Sequence, residues 1–191
     1  MNRTRFSAVL GVAAVLVSFL GILGGVSTAP WFSWASNDLS DLGISAGPER
    51  WLFNYGLILS GIVGLGFLPA LCATARHRAH RLALVPFAVA MVAVAGVGVF
   101  PADQPQAHAL SAVTAYVAFV ATPVVYGVGD LLAGAGNRGA ATIASAVIHL
   151  GLWVLAVASL GETLTGIAVP EFVGATLFNA WVLYTAFRAW R

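Results

Sequence analysis

The sequence predicts an all-α polytopic membrane protein whose six transmembrane helices form one bundle. Of its 191 residues, 60% are hydrophobic and only 8% are charged, and the mean hydropathy is +0.91. The apolar residues gather into six runs, each close to the ~20 residues that a helix needs to cross a bilayer. This combination excludes an ordinary soluble domain, in which charged residues make up roughly a quarter of the chain.

The six predicted helices span approximately residues 6–26, 51–73, 82–100, 108–130, 141–160 and 169–187. No repeat, low-complexity tract or linker interrupts them, so we expect residues 1–191 to form a single domain. The first run is longer than the apolar core of a secretory signal peptide. It also carries Gly21 and Gly25 at a spacing that packs helices together, so we expect a retained helix.

The basic residues predict the orientation. All nine are arginines, and in the six-helix plan eight of them fall on the side that holds both termini, with Arg50 alone on the other side. Because cytoplasmic loops are enriched in arginine and lysine, the pattern predicts a multi-pass protein of the cell membrane with cytoplasmic N- and C-termini. Most carboxylates fall on the outer side, which indicates that the polar chemistry lies there.

Small residues and prolines predict where helices pack and where they break. Gly56 and Gly64 lie on one face of the second predicted helix, where a neighbouring backbone can come close. Pro69, Pro86 and Pro123 lie inside apolar runs. Because proline lacks the backbone N–H, we expect these positions to kink a helix or end it early.

The link between the first two helices holds the densest polar motif, NDLSDLG at residues 37–43. Asn37, Asp38, Ser40 and Asp41 are residue types that preferentially cap helices, so one interpretation is a capped re-entrant or interfacial helix. In the other, Asn37, Ser40 and Asp41 line a pocket over the outer helix ends, because a carboxylate folded back among helices must be paired or protonated. Both interpretations fit the spacing.

Further polar residues follow at the same predicted membrane face. Asn54 lies one turn inside the second helix, where an amide needs partners, and the preceding loop is their nearest source. Asp103 and His108 stand at the two ends of a proline-containing turn. A histidine beside a carboxylate can exchange protons near neutral pH or supply two metal ligands, and a purely interfacial His108 fits equally. The sequence leaves open whether a metal is bound and which cofactor, if any, is used.

Two polar residues, His149 and Asn179, are predicted near the middle of the membrane. Intramembrane ionisable groups are functional candidates, but a hydrogen bond from His149 to Ser145 or Asn179 would simply join two helices. Glu162 and Glu171 flank the last outer loop, where a solvated face explains them. Glu171 reaches the outer pocket if the sixth helix packs beside the second.

The chain resembles the prokaryotic membrane proteins grouped as domain of unknown function 998. The likeness is carried by NDLSDLG at 37–43, WLFNYGL at 51–57, and GVFP at 98–101 with the turn that runs to His108. It implies six helices and an outer polar cluster, and it brings no established activity.

A looser likeness involves residues 40–43, SDLG, which resemble a patch after the first helix of the eukaryotic damage-regulated autophagy modulator and GPI-anchor remodelling membrane proteins. The proline-rich continuation of that group is missing here, where only Pro48 follows. The likeness points toward lipid or lipid-anchor chemistry.

The sequence predicts an outer polar pocket that binds or modifies a lipid head group or lipid-linked molecule. The common enzyme signatures HExxH, GxSxG and the glycine-rich phosphate loop are absent, so no reaction class follows. In an enzyme of this kind Asp41 and His108 would transfer protons. The residues that would position the substrate are Asn37, Ser40, Asn54 and Asp103.

Two other function classes fit the same sequence. The first is a non-enzymatic scaffold or assembly factor, in which the polar groups only hold the outer loop. The second is a small transporter with a midplane site at His149 and Asn179. In every case we expect membrane lipids as partners, a second copy or another membrane protein as a further partner, and no nucleic acid.

Overall fold

The structure is a computed structural model that describes residues 2–159 and 165–191, and its regular secondary structure there is helical. A 3-10 helix, Leu39–Ile44, lies in the link between the first two α-helices. The all-α prediction is therefore confirmed for these residues. The α-helices are α1 Arg3–Thr28, α2 Pro48–Leu65, α3 Leu68–Ala73, α4 Arg78–Leu82, α5 Leu84–Val99, α6 Pro105–Leu132, α7 Gly136–Ser159 and α8 Ala168–Trp190.

The second predicted helix is divided into two, and a short extra helix precedes the third. The second run breaks at Gly66 and Phe67, so that α2 is followed by the short α3, which carries Pro69 in its first turn. The short α4 lies mostly in the predicted link before the third run, and Ala83 separates it from α5. Proline fits the first turn of a helix because the N–H groups there have no intrahelical partner. In contrast, α6 continues through Pro123, and Leu160 of the fifth predicted helix lies outside the described residues.

Five helical stretches of the described chain are long and apolar enough to cross a membrane. They are Arg3–Thr28, Pro48–Ala73, Arg78–Val99, Pro105–Leu132 and Gly136–Ser159. Helix α8 lies outside this set, although its 23 residues make it roughly 34 Å long at 1.5 Å per residue.

The helices pack along one another in a bundle. Helix α1 lies against α2, α3 and α8, while α5 packs between α2 and α6, and α7 packs on α6 and α8. Aromatic side chains fill the middle, where the Phe178 ring stacks on Phe119 with centroids 4.3 Å apart and on Phe87 at 6.1 Å. The long helices thus enclose an apolar core with aromatic rings at its centre.

The crossing of α1 and α2 depends on two facing glycines, Gly21 and Gly56. A Cβ atom on Gly21 would lie 2.8 Å from the Cα of Gly56, and one on Gly56 would lie 2.5 Å from the Cα of Gly21. Both contacts would be with backbone, which cannot rotate away. Small residues at a helix interface allow this close approach.

The turn between α6 and α7 uses a glycine in the left-handed region. Gly134 has φ +78°, and its N–H donates to the Leu131 carbonyl at 3.1 Å. The next N–H, that of Ala135, donates to the Asp130 carbonyl at 2.9 Å. This is the Schellman ending of a helix, in which a glycine follows the C-cap.

The bundle has two chemically different ends. We call the end with the 3-10 helix the carboxylate end, because it carries Asp38, Asp41 and Glu171. We call the opposite end the arginine end, because Arg138 and Arg188 lie there around Asp130. The start of α1 and the end of α8 are at the arginine end, where the Arg5 Nε donates to the Trp190 carbonyl at 3.1 Å.

We predict that Gly56→Ala destabilises the protein by about 1–3 kcal/mol, as over-packing typically does. The helix propensity of alanine is more favourable than that of glycine by about 1 kcal/mol. A loss of stability would therefore come from the disturbed contact between α1 and α2. Thermal unfolding in detergent measures it.

The matched control is Gly151→Ala, since a Cβ at Gly151 meets no atom within 4 Å. Equal melting temperatures for the two variants would contradict the close crossing of α1 and α2.

Candidate functional site

The polar motif at residues 37–43 forms the turn that leads into the 3-10 helix. Asp41 is its central acceptor, because its Oδ2 accepts the Asn37 amide Nδ2 at 2.9 Å and the Asp38 backbone N–H at 3.1 Å. N–H groups at a helix start lack intrahelical partners, and nearby side-chain oxygens satisfy them. Asp41 therefore does what the capping interpretation predicts.

The segment before α8 holds this turn from the far end of the sequence. The Ile167 N–H donates to Asp38 Oδ1 at 2.9 Å, and the Ala168 N–H donates to the Asn37 carbonyl at 3.0 Å. Gly166 lies against the Asn37 backbone, where a Cβ would collide. Two loops that are distant in sequence are thus fixed against each other by their backbones.

Glu171 adds a buried carboxylate to the turn. Its Oε2 accepts the Leu39 N–H at 2.7 Å, and the residue is only 7% exposed. The expectation of a solvated Glu171 is therefore wrong, because α8 packs on α1 and on the 3-10 helix. No basic side chain forms a salt bridge with it in the described part of the chain. Glu162, expected to be solvated too, lies outside the described residues.

Asn54 and Ser40 are both buried, but they have different surroundings. Asn54 Nδ2 donates to the Gly43 carbonyl at 2.9 Å, which is the loop partner expected for it, and its Oδ1 is buried without a hydrogen-bond partner among the described residues. Ser40 lines a groove beside α6, whereas Asn37 and Asn54 do not.

The structure does not pair Asp103 with His108. Asp103 is exposed, and His108 Nδ1 instead lies 2.9 Å from the Phe100 carbonyl oxygen. A carbonyl only accepts, so Nδ1 carries the proton, and the neutral ring presents Nε2 as an acceptor. In that tautomer His108 can take up a proton from a group in the groove.

A groove of about 710 Å³ extends from the carboxylate end along one side of α6. On α6 it is lined from Pro105 to Ala121, which is roughly 24 Å at 1.5 Å per residue. Its polar end is lined by Asp38, Ser40, Asp41, His108 and Glu171. Its remaining wall is mainly apolar and aromatic, and includes Ala112, Val113, Tyr116, Val117, Val120, Leu150 and Trp153.

A smaller cavity of about 60 Å³ adjoins this groove. The two share the side chains of Ser40, His108, Tyr116 and Glu171, and Asn179 lines the smaller cavity only. A volume of this size holds a few water molecules. The carboxylate end therefore continues into the bundle as a small, mainly apolar cavity with a few polar groups in its wall.

The candidate midplane residues His149 and Asn179 form no hydrogen bond with each other in the described structure. The Ser145 hydroxyl donates to the backbone of its own helix, and His149 Nε2 has no partner among the described residues. His149 instead packs edge-on to the Tyr116 ring, with centroids 6.0 Å apart, and against Gly174. The two residues that a transporter would use are thus placed in different surroundings.

Groups of metal-ligating side chains are absent from the described residues. Within residues 2–159 and 165–191, no three histidine, cysteine, aspartate or glutamate side chains converge on one point.

A second polar cluster, at the arginine end, was not predicted. Asp130 is 1% exposed, and its Oδ1 accepts Arg138 Nη2 at 2.7 Å and His80 Nε2 at 3.1 Å. The His80 Nδ1 accepts the His77 N–H at 3.1 Å, so Nε2 carries the proton in the neutral ring. Arg188 Nη1 is more distant, 3.9 Å from Asp130 Oδ2.

The outward faces of the helices carry large apolar side chains. Leu20, Val85 and Leu110 are 70%, 65% and 72% exposed, and a soluble monomer rarely exposes such extensive apolar surface. With five helical stretches suited to crossing a bilayer, these faces define a multi-pass α-helical membrane protein.

Comparison with known proteins gives the family. The family model described as protein of unknown function (DUF998) matches residues 12–188, so the chain belongs to that family. No curated protein matches the chain, and no solved structure does.

We predict that Asp41→Ala lowers the free energy of unfolding by about 1–2 kcal/mol, because two hydrogen bonds at the helix start are lost. Asp41→Asn keeps an oxygen acceptor and should cost less. Thermal unfolding in detergent tests both.

Asp103→Ala is the control, since Asp103 is exposed at the same end, and surface changes usually stay within about 0.5 kcal/mol. If Asp41→Ala were no worse than Asp103→Ala, the Asp41 contacts would contribute nothing to stability.

Proposed function

We propose that this protein binds an amphiphile, a lipid or lipid-linked molecule, in the groove beside α6. The polar head group would lie at the carboxylate end and the apolar chain along α6 and α7. One observation carries the proposal: a single groove joins five polar side chains to a mainly apolar wall. Ligand sites are commonly mainly apolar, with a few polar groups that set the orientation.

The charges at the polar end favour a head group that is cationic or rich in hydrogen-bond donors. Asp38, Asp41 and Glu171 each use one carboxylate oxygen to hold the loop, which leaves the other oxygen as an acceptor. Among the described residues, His108 is the one basic side chain that lines the groove, and no arginine does. The carboxylates at this end would repel a head group that carries only negative charge.

We further propose that α8 is a sixth transmembrane helix and that the arginine end is cytoplasmic. The arginine distribution supports this orientation, and α8 is long enough to cross a bilayer. The carboxylate end, with the head-group site, would then face the outside of the cell membrane. A lipid could reach the groove sideways from the outer leaflet.

If the bound molecule is also modified, Asp41 and His108 are the candidates for proton transfer. Both line the polar end of the groove. The Nδ1–H bond to Phe100 leaves His108 Nε2 free to accept a proton, and Asp41 retains Oδ1 as a second acceptor. Ser40, which lines both the groove and the smaller cavity, would help to orient the substrate.

A second candidate function is a non-enzymatic scaffold. It is favoured by the hydrogen bonds of Asn37, Asp38 and Asp41, all of which hold the loop itself. In this case the groove would be filled by bulk lipid without selection, and the loop surface would contact another membrane protein.

Binding in the groove is tested by placing a larger side chain in its wall. We expect Val117→Trp to lower amphiphile binding several-fold, because Val117 lines the groove and a tryptophan would occupy it. Val92→Trp is the matched control, since Val92 is 61% exposed and Val117 is 63% exposed, but Val92 lies on α5. Native mass spectrometry of delipidated protein with added oleylamine, monooleoylglycerol or oleic acid measures the binding.

The head-group argument predicts that oleylamine binds best and oleic acid worst. Asp41→Asn should reduce this preference, because it removes a carboxylate charge from the polar end of the groove while a side-chain oxygen can still accept the hydrogen bonds of the loop. Equal binding of all three probes, unaffected by Val117→Trp, would contradict the proposal and favour the scaffold.

The chemical step is tested in the host. We expect deletion of the gene to change a lipid species that wild type restores and that the Asp41→Asn, His108→Ala double variant does not. Lipid analysis at matched membrane levels of protein measures this. Restoration by the double variant would exclude proton transfer by these residues and leave binding alone.

A further inference from the structure

A second pocket lies at the arginine end, away from the groove. It has a volume of about 310 Å³. It is enclosed by the start of α1, the end of α3 and the end of α8. Its polar lining consists of Thr4, Thr74, Arg76, Arg188 and Arg191, with two alanines completing the wall.

Contacts between neighbouring helices hold the walls of this pocket in place. The Ser7 hydroxyl donates to the Gly66 carbonyl at 2.7 Å and accepts the Ala70 N–H at 2.9 Å, which ties α1 to α3. Arg5 ties α1 to the end of α8 through the Trp190 carbonyl. The pocket is thus bounded by elements that are fixed to each other, so little ordering is needed when a ligand binds.

The pocket carries an excess of positive charge. Among the described residues, its ionisable lining residues are all arginines. Arg188 forms a long salt bridge from Nη1 to Asp130 Oδ2 at 3.9 Å, while Asp130 Oδ1 accepts hydrogen bonds from Arg138 and His80. Arg188 is 17% exposed, and its Nη1 is buried without a hydrogen-bond partner among the described residues.

The one carboxylate beside Arg188 does not balance three guanidinium groups that line the same pocket, and an added anion would compensate the excess positive charge. Arginine presents several N–H donors in a planar fork that matches the oxygens of a phosphate. Arg191 is held beside the pocket by its contact with the Phe187 ring, 4.2 Å from the guanidinium carbon. Arg76 faces it from the link between α3 and α4.

We propose that the pocket formed by Arg76, Arg188 and Arg191 binds a phosphoryl group. The shared chemistry is a phosphate with at least one negative charge, which either an anionic phospholipid head group or free phosphate provides. This ligand is opposite in charge to the one that the groove favours, so the two sites take different molecules.

The test compares two variants that remove the same charge from the same end. Arg76→Gln with Arg191→Gln removes two pocket arginines and leaves Arg188 beside Asp130. Arg78→Gln with Arg81→Gln removes two exposed arginines of α4 that do not line the pocket. Purified protein is titrated with short-chain phosphatidylglycerol in native mass spectrometry, with diacylglycerol as a neutral control. Melting temperatures are compared in inorganic phosphate and in chloride at equal ionic strength.

We expect the pocket variant to weaken phosphatidylglycerol binding about tenfold or more, since hydrogen bonds to charged groups contribute about 1.5–3 kcal/mol each. The α4 variant should bind like wild type. Stabilisation by inorganic phosphate and competition with the lipid would identify a free phosphate as a ligand, and lipid binding alone would identify the head group. Absence of binding by either probe, or equal loss in both variants, would overturn the proposal.

Discussion

The bond from the Leu39 N–H to Glu171 organises the carboxylate end of this protein. It joins the link between α1 and α2 to the first turn of α8 at 2.7 Å, and it lies among the apolar ends of helices, where an unpaired N–H or carboxylate would be costly. The same requirement explains the neighbouring bonds of Asp38 and Asp41. Because each carboxylate satisfies a backbone N–H with one oxygen, the loop is fixed and the second oxygens remain available to a ligand.

Most of the helical plan could be predicted because a bilayer demands long apolar runs. The break at Gly66 is local, and hydropathy does not register it because the residues around it are apolar. Nor does hydropathy show that Glu171 turns inward, since that depends on α8 packing against α1. Whether a side chain at a helix end is buried depends on which helix packs beside it, and the sequence alone does not identify that neighbour.

The candidate site was predictable only in part, for a similar reason. Ser40, Asp41 and His108 lie on one groove because alternate loops of a helical bundle emerge at the same end. Asn54 and Asp103, which share that end, have other surroundings, because which way a side chain points depends on packing. The cluster of Asp130 with His80 joins residues 50 positions apart, and no spacing rule connects them.

The two ends of the bundle favour opposite ligands, and this limits what one molecule can do. A phospholipid that satisfied the arginines would carry its negative charge toward Arg76 and Arg188, whereas at the other end it would meet Asp41 and Glu171. In the proposed orientation a bilayer would separate the two environments, so each end would select from its own leaflet. The groove at the carboxylate end extends along α6, which would allow an apolar chain to stay in the membrane while the head group is held. Among the described residues, the lining of the arginine pocket has no such apolar extension, so the proposed site would anchor a phosphoryl group without distinguishing one lipid chain from another.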